Sequence, residues 1–493
     1  MKPTLQHLLQ LTNKYLTLEE QEIIKEAYDF AKDAHLNQSR KTGEPYFYHP
    51  LRVAEDLARI HSDCPTIIAG LFHDLLEDTN IKPEEIKKNF GEEILILTQG
   101  LTHISQKFSQ AKYQDKEKSE KQMENLRNLF LSLSEDLRIV LIKLMDRLDN
   151  LRTLWVLDKE KQKEIANETL DIFAALAYRL GMGEIASQLE DLSFPYAYPK
   201  EYRLVCRLTG KRQYELKKYL EKITPLIYNE LIKNDIKPKE IQYRAKHLFS
   251  IWRKLKKENM NVSRIYDLVA MRIIVNTLEE CYLTLGVIHQ IWKPVPGRFK
   301  DYIATPKPNG YRSLHTTVFG PNGRIIEIQI RTLKMHQEAE WGIAAHWYYE
   351  LKKEDKNYLR GKNKIQFNLD RKFTWLKQLR DWQKELNNPS DFLDLLKNDF
   401  LKDRIYVLTP KGDVIDLPDG ATPVDFAYQV HTEIGNQCAS AKVNDKLVPL
   451  DYRLKSGEVV EILTRKGKKP SRAWLEFVKM RETKELIKKN LKK

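Results

Sequence analysis

The spacing of apolar residues changes period partway along the chain, and that change limits every fold open to it. Up to about residue 195 one amphipathic helix follows another, as in LEEQEIIKEAYDFAKDAH, PLRVAEDLARI and SEDLRIVLIKLMDRLDNLRTL. Two long charged helices are expected over about 200–260. LVAMRIIVN (268–276) then reads as a β run, and TLEECYLTLGVIHQIW after it as a helix. HTTVFG and RIIEIQIRT are β runs joined by Pro321-Asn322-Gly323, a hairpin signal, and the helical LKMHQEAEWGIAAHWYYEL follows. Past the charged stretch KKEDKNYLRGKNK, the residues Trp375, Leu379, Trp382 and Leu386 mark one helix face. RIYVLTPKGDVIDL reads as a hairpin about Lys411-Gly412-Asp413. Thr422-Pro423-Val424-Asp425 is a capping box with proline at the first helical position. AKVNDKLVPL and EVVEILT add strands, a β-grasp pattern of one helix on a small sheet. The expected organisation is an all-helical domain over 1–195, an α+β domain over 196–350, a helical linker over 351–402, a β-grasp domain over 403–465 and a basic helical tail over 466–493.

Length and composition agree with several domains. At about 150 residues per domain, 493 residues make roughly three, and 42% hydrophobic content supplies their cores. No run approaches the ~20 apolar residues needed to span a bilayer, and the N-terminus lacks a signal peptide's apolar core, so no membrane partner is expected. Cys64, Cys206, Cys281 and Cys438 are far apart without a CxxC, which fits a reducing cytoplasm and excludes a thiolate zinc site. The net charge of +14 is concentrated: Arg465–Lys493 carries +9 and Lys293–His315 carries +4. Two local basic patches therefore need explaining, not a basic body.

In LFHDLLEDT (71–79), a continuous helix places His73 one turn before Glu77 and Asp74 one turn before Asp78. Three potential negative charges in five residues repel one another and cost desolvation if buried. Leu71, Phe72, Leu75 and Leu76 argue against a wholly solvated face, so a positive group is expected beside them. His49 precedes Pro50, which should open a helix, and is expected at its mouth. Asp146 and Asn150, four apart, share a face. Two imidazoles and two carboxylates from three helices suit a hard or borderline divalent metal, which lowers the pKa of a bound water. Glu77 and Asp78 are then placed to handle protons. An isolated His-Asp dipeptide is more often a satisfied core pair; the company of His49 and Asp146 favours the metal.

KPVPGRFKDYIATPKPNGYRSLH is basic, rich in glycine and proline, and interleaved with Phe299, Tyr302 and Tyr311, so it reads as a loop. Such a loop suits a polyphosphate and a base, and on charge alone suits a nucleic acid equally. In RIIEIQIRT, alternation puts Ile326, Ile328 and Ile330 on one face and Glu327, Gln329 and Arg331 on the other. Asp267 precedes the first β run. Carboxylates from two strands facing a basic loop can hold Mg²⁺ and deprotonate a hydroxyl, although Glu327 alone would more often be a cross-strand ion pair.

RKTGEPYFYHP, AGLFHDLLEDT and MDRLDNLRTL resemble the HD phosphohydrolases, and more narrowly the hydrolase domain of the long RelA/SpoT-homologue family, which makes and degrades the alarmone (p)ppGpp. The resemblance implies Mn²⁺ held by His49, His73, Asp74 and Asp146, with Glu77 and Asp78 catalytic. Arg40, Lys41, Asn150 and Arg152 would contact the guanine nucleotide. Asp149 stands where the family usually has His, adding a negative charge near the site, and Tyr178 also replaces a usual His. RAKHLFSIWRK, RIYDLVAMR, GRFKDYIATPKPNGYRSLHTT and EIQIRT are similar to the family's nucleotidyltransferase-like pyrophosphokinase domain. That implies transfer of pyrophosphate from ATP to the 3′-OH of GDP or GTP. Asp267 and Glu327 would hold Mg²⁺, with Glu327 as ligand or base. Tyr311 would stack guanine beside Asn309, His315 and Gln329. Arg244 and Arg272 would sandwich adenine, and Lys246, Ser250, Lys254, Arg298 and Lys307 would bind phosphates. Lys300 belongs to the basic RFKD form of a motif whose acidic form marks synthetase-only relatives, which favours a bifunctional enzyme. Tyr243 stands where the family has Gly.

DRIYVLTPKGDVIDLPDGATPVDFAYQVHTEIG resembles the TGS domain, which implies a contact between His431 and the acceptor end of uncharged tRNA. The basic tail suits RNA phosphates, on the ribosome or free, and equally a solvated helix. Long family members continue into zinc-finger and ACT/RRM-like modules that this sequence does not reach, so either ribosome-dependent control through them is absent or altered or the sequence is a piece of a longer chain. The expectation is a cytoplasmic enzyme of the stringent response with two opposed, reciprocally regulated activities, coupled through residues 150–230. The alternatives are a tRNA or ribosome sensor with decayed catalysis, and an HD hydrolase of another nucleotide whose middle domain only binds.

Overall fold

The computed structural model describes residues 2–109, 136–260, 268–307, 309–342, 344 and 404–491. The helical linker expected over 351–402 and the metal ligand expected at Asp267 lie outside these residues. The chain divides into two units, Met1–Glu385 and Leu386–Lys493. No described helix is long and apolar enough to cross a membrane.

The first unit opens with helices α1 (Leu5–Thr12), α2 (Leu18–Ala34), α3 (Tyr48–Arg59), α4 (Cys64–Phe72), α5 (Leu75–Asp78), α6 (Pro83–Phe90) and α7 (Glu92–Ser109). After them come α8 (Leu137–Arg152), α9 (Lys159–Glu168), a π turn (Thr169–Phe173), α10 (Ala174–Arg179) and α11 (Gly183–Ala197). Thr17 and Glu20 form a capping box that starts α2, and Asp63 caps α4 ahead of Pro65. The core lies where α3, α4 and α8 pack, with Leu51, Leu57, Ile67, Leu71, Leu141 and Leu144 fully buried. Gly70 permits that packing, since a Cβ there would meet Leu57 Cδ1 at 2.5 Å.

The expected pair of long helices over 200–260 is corrected. One 35-residue helix, α12 (Pro199–Lys233), is followed by a strand, β1 (Glu240–Ala245), and then α13 (Leu248–Lys257). The strand is too short and too charged to announce itself by alternation, and it forms because β2 (Val269–Val275) pairs with it. α14 (Leu278–Ile291), β3 (Lys300–Asp301), β4 (Leu314–Phe319), β5 (Ile325–Thr332) and α15 (Leu333–Trp341) complete the region. β4 and β5 form the expected hairpin, and β3 lies within the stretch expected as a loop. The sheet order is β1-β2-β5-β4-β3, with β2 parallel to β5 and the other pairs antiparallel.

One face of this sheet is apolar. Met271, Ile273, Ile326, Ile328, Ile330, Leu314 and Val318 pack there with Leu220, Ile223 and Ile227 of α12 and Val287 and Ile288 of α14. Tyr243 belongs to this face, its hydroxyl 2.6 Å from Thr224 Oγ1, which explains a side chain where the family has none. The other face is polar, and register aligns Gln242, Arg272, Gln329, His315 and Lys300 in one row across all five strands. The polar half of β5 is nonetheless covered. Arg331 is 1% exposed and donates to Glu340 of α15 at 3.0 Å.

In the second unit β6 (Arg404–Leu408) and β7 (Val414–Pro418) form the expected hairpin, and β8 (Cys438–Val443), β9 (Lys446–Val448) and β10 (Val460–Thr464) a second sheet. The capping box of Thr422 and Asp425 starts α16 (Pro423–Val430), and α17 (Thr432–Asn436) follows. The C-terminal stretch, with α18 (Trp474–Phe477) and α19 (Arg481–Leu491), packs Trp474, Val478 and Ile487 against Val424, Ala427 and Tyr428 of α16.

Candidate functional site

α4 ends at Phe72, and His73 and Asp74 form a turn before α5. The continuous helix expected over 71–79 is therefore corrected. The break aims the Asp74 carboxylate at the His73 ring, Oδ2 to Nε2 3.1 Å, which side chains one apart on an unbroken helix do not manage. His49 is also corrected: it is 1% exposed, inside the bundle and not at its mouth, because α3 begins at Tyr48 and buries its first turn.

The structure brings the four expected ligands together. His49 Nε2 and His73 Nε2 face each other at 3.1 Å. Asp146 Oδ1 lies 3.3 Å from the first and 3.9 Å from the second, and Asp74 Oδ2 lies 3.7 Å from His49 Nε2. Donors about 2.1 Å from one ion sit roughly 3–3.5 Å apart, so this set fits a divalent metal. Both rings have the other nitrogen occupied, His73 Nδ1 by Gly70 O at 2.8 Å and His49 Nδ1 by Asp149 Oδ2 at 2.7 Å. The electrostatics agree. Burial opposes a charged His73, but Asp74 and then Asp146 outweigh it and lift its pKa to about 9. The acids thus draw a positive charge to the centre of the cluster.

Around this centre, Tyr46 places its hydroxyl 2.8 Å from Asp74 Oδ2 and 2.9 Å from Asp78 Oδ2. Burial first, then these carboxylates, push its phenol well above the usual range. Lys143 Nζ is 3.3 Å from Asp146 Oδ2, and Asn150 Nδ2 donates to Asp146 Oδ1 at 2.6 Å. Glu77 is half-buried and Asp78 exposed. Arg40 donates to Asn150 Oδ1 at 2.5 Å and to Thr153 Oγ1 at 3.2 Å, while Lys41 is exposed and Arg152 pairs with Asp56 at 2.5 Å. Asp149, expected to add a negative charge near the site, is compensated by Arg52, whose Nε lies 2.6 Å from Oδ1. Sequence reasoning missed Tyr46, Lys143 and Arg52. The first lies in a quoted motif and carried no signal beyond that.

On the polar face of the larger sheet, Glu327 accepts from Gln329 Nε2 at 3.1 Å, and His315 Nδ1 lies 3.7 Å from Glu327 Oε1. Tyr311 OH is 2.8 Å from His315 Nε2, and Lys307 Nζ lies 4.8 and 5.2 Å from the Tyr302 and Tyr311 ring centroids. Burial, then Lys300 and Lys246, pull Lys307 down to about 8, and burial, then Lys307 and Lys300, push His315 down to about 3. Cations crowded this way favour an incoming polyphosphate. Arg244 lies 3.6 Å from Glu184, Arg272 donates to Glu340 at 3.1 Å, and Asn309 Nδ2 is 3.5 Å from Tyr178 O. Ser250 is half-buried near the start of α13, and Lys254 and Arg298 are exposed. In the second unit His431 is exposed and caps α17, its Nδ1 accepting from Glu433 N at 3.3 Å.

Three family models match: an HD domain over residues 27–183, a region found in RelA / SpoT proteins over 243–354, and a TGS domain over 405–464. The chain is 48% identical over 473 residues to guanosine-3′,5′-bis(diphosphate) 3′-pyrophosphohydrolase of Aquifex aeolicus, covering 96% of this chain and 65% of that protein. It is 47% identical over 458 residues to GTP pyrophosphokinase of Myxococcus xanthus, covering 93% and 59%. It is 40% identical over 485 residues to the bifunctional (p)ppGpp synthase/hydrolase SpoT of Escherichia coli, covering 98% and 67%. The chain thus spans about three fifths to two thirds of the length of these relatives. With an HD domain, a region found in RelA / SpoT proteins and a TGS domain in that order, the chain belongs to the RelA/SpoT family.

Proposed function

We propose that this protein is a bifunctional alarmone enzyme, hydrolysing (p)ppGpp to GDP or GTP plus pyrophosphate at the helical site and making it from ATP and GDP or GTP on the sheet. The observation that carries this reading is the presence, in one unit, of a His49/His73/Asp146 cluster with Asp74 beside both rings and a carboxylate-bearing sheet face under a basic aromatic loop. The relatives' printed activities support both halves.

His49, His73, Asp74 and Asp146 would hold the first ion, and Glu327 with Asp267 the second. Divalent ions, Mn²⁺ in the helical site and Mg²⁺ on the sheet, supply Lewis acidity to water and to phosphate oxygens when bound. Arg40, held at Asn150, presents a planar guanidinium to the guanine nucleotide, with Lys41 and Arg152 near its phosphates. Tyr46 steadies Asp78 beside Asp74, so that Glu77 and Asp78 can take the proton of the attacking water. The water oxygen bonds the phosphorus as the 3′-oxygen–phosphorus bond breaks, and the 3′-oxygen takes up the proton that these acids received.

In synthesis Glu327 takes the proton of the acceptor 3′-OH, whose oxygen bonds the β-phosphorus of ATP as AMP leaves. Tyr311 stacks guanine beside Asn309, His315 and Gln329, and Arg244 and Arg272 flank adenine. Lys246, Ser250, Lys254, Arg298, Lys300 and Lys307 neutralise the triphosphate. Exposed His431 and the basic segment after Thr464 are proposed to meet uncharged tRNA and the ribosome. The two activities together only consume ATP, so they are proposed to be reciprocally regulated.

The test is an assay of both reactions on three proteins. Wild type is expected to convert labelled ATP plus GDP to ppGpp with Mg²⁺ and to degrade ppGpp with Mn²⁺. Glu327→Gln should lose synthesis by more than about 100-fold and keep hydrolysis, and His73→Ala the reverse. If wild type made no product at any tRNA concentration and left ppGpp intact, the proposal would fail.

A further inference from the structure

The two imidazoles of the metal cluster are oriented by different acceptors. His73 Nδ1 meets a neutral backbone carbonyl, Gly70 O at 2.8 Å, whereas His49 Nδ1 meets the carboxylate of Asp149 at 2.7 Å. Asp149 lies on α8 one turn after Asp146 and is fully buried. A buried carboxylate survives only if its charge is answered. Here Arg52 supplies Nε at 2.6 Å to Oδ1 and a second nitrogen at 3.2 Å to Oδ2, and Arg40 a third at 3.3 Å. Arg52 is itself held by Glu44 at 2.7 and 3.1 Å. With its remaining valences taken by arginines, Asp149 acts on His49 as a fixed acceptor.

We infer that Asp149 is a positioning residue of the metal centre, keeping the His49 proton on Nδ1 so that the Nε2 lone pair points at the shared donor point and binds the ion more tightly. The inference rests on reading the cluster as a divalent-metal site. A carboxylate on the far nitrogen both locks the ring and makes it a stronger donor. The resemblance implies a histidine at this position, which would bring no carboxylate, so Asp149 alters the tuning of one ligand while leaving the ligand set intact.

The test is Mn²⁺ binding by the full-length protein, read as free Mn²⁺ by electron paramagnetic resonance, with nitrogen couplings in the pulsed spectrum counting bound imidazoles. Wild type should bind an ion that His73→Ala does not. Asp149→Asn keeps an acceptor and loses the charge, and should bind about 10- to 100-fold more weakly. Asp149→Ala, which keeps neither, should bind more weakly still and lose one imidazole coupling. Circular dichroism checks that each variant is folded. Should the alanine variant fail to fold, the isosteric asparagine variant carries the comparison. Independently of any variant, ring ¹⁵N–¹H correlation of the Zn²⁺-loaded wild type should place the His49 proton on Nδ1. Wild-type affinity in a folded Asp149 variant, or a proton on Nε2, would overturn the inference alone. No Mn²⁺ site above the His73→Ala background would overturn the metal-centre reading and this inference with it.

Discussion

Tyr46 shows how one hydroxyl organises the proposed hydrolase site, because it lies within 3 Å of both the Asp74 carboxylate and the exposed Asp78. Removing it leaves the two acids to repel each other across the gap it fills. Tyr46→Phe is expected to lower hydrolase kcat by about 10- to 100-fold, in line with about 1–3 kcal/mol for a lost buried hydrogen bond, and to leave synthesis unchanged. Steady-state rates of both reactions on one preparation check this. His247 offers a pH signature outside the metal cluster. Burial disfavours its charged form, but Asp191 at 3.0 Å and Glu184 outweigh this and raise its pKa to about 9. Its contribution to stability is therefore complete below about pH 6.5, the unfolded value, and is lost as pH rises to about 9. Chemical denaturation across that range should show a fall on the order of 2–3 kcal/mol, and His247→Gln should flatten it.

At the scale of elements, motif spacing located the ligand-bearing helices, while their ends came from packing. Asp146 and Asn150, four apart on α8, do meet side by side. The break after Phe72 was not legible, because LFHDLLEDT has helical apolar spacing throughout and only the convergence of α3, α4 and α8 requires the turn. β1 escaped for the opposite reason: EIQYRA carries little pattern of its own and depends on a partner strand. The capping box at Thr422 was legible, but its second use was not. Asp425, fully buried, also accepts from the backbone nitrogens of Lys479 and Met480 at 2.9–3.1 Å, tying the C-terminal segment to α16. Asp425→Ala is expected to destabilise the second unit by about 2–4 kcal/mol, adding a lost cap to stranded backbone donors. Amide hydrogen exchange at Lys479, Met480 and α19 in the full chain should speed up accordingly.

In the first unit, a cavity of about 890 Å³ lies where the helical bundle meets α15, and Arg52, Arg152, Glu184 and Glu340 are among the residues that line it. Each of these groups is paired: Arg52 with Asp149, Arg152 with Asp56, which also lines the cavity, Glu184 with Arg244 and Glu340 with Arg272. Rings bridge the same boundary, with Tyr15, His61 and Trp341 stacked at 4.4 and 4.0 Å. α11 carries Glu184 and packs on both α8 and α15, so it belongs to the stretch expected to couple the two activities. On the proposed function, adenine would compete with Glu184 for Arg244. Glu184→Gln should therefore lower the KM for ATP, by roughly two- to fivefold given that the pair is partly exposed. It should also weaken any inhibition of synthesis by hydrolase-site ligands. Initial rates with and without a non-hydrolysable ppGpp analogue measure both effects.

From its sequence alone this protein was bound to a helical domain, an α+β domain and a β-grasp domain, because apolar period distinguishes helix from strand and capping and turn residues punctuate both. The pair Asp146–Asn150 was equally bound to share a neighbourhood, since spacing on a helix is local geometry. Only the tertiary structure decided that His49, His73, Asp74 and Asp146 converge, that the extra charge of Asp149 is matched by Arg52 and Arg40, and that Tyr243 faces a core. Those outcomes join residues up to 109 positions apart. Distances of that kind, and the sign of the field they create, depend on how helices and strands pack and not on the pattern within any one of them.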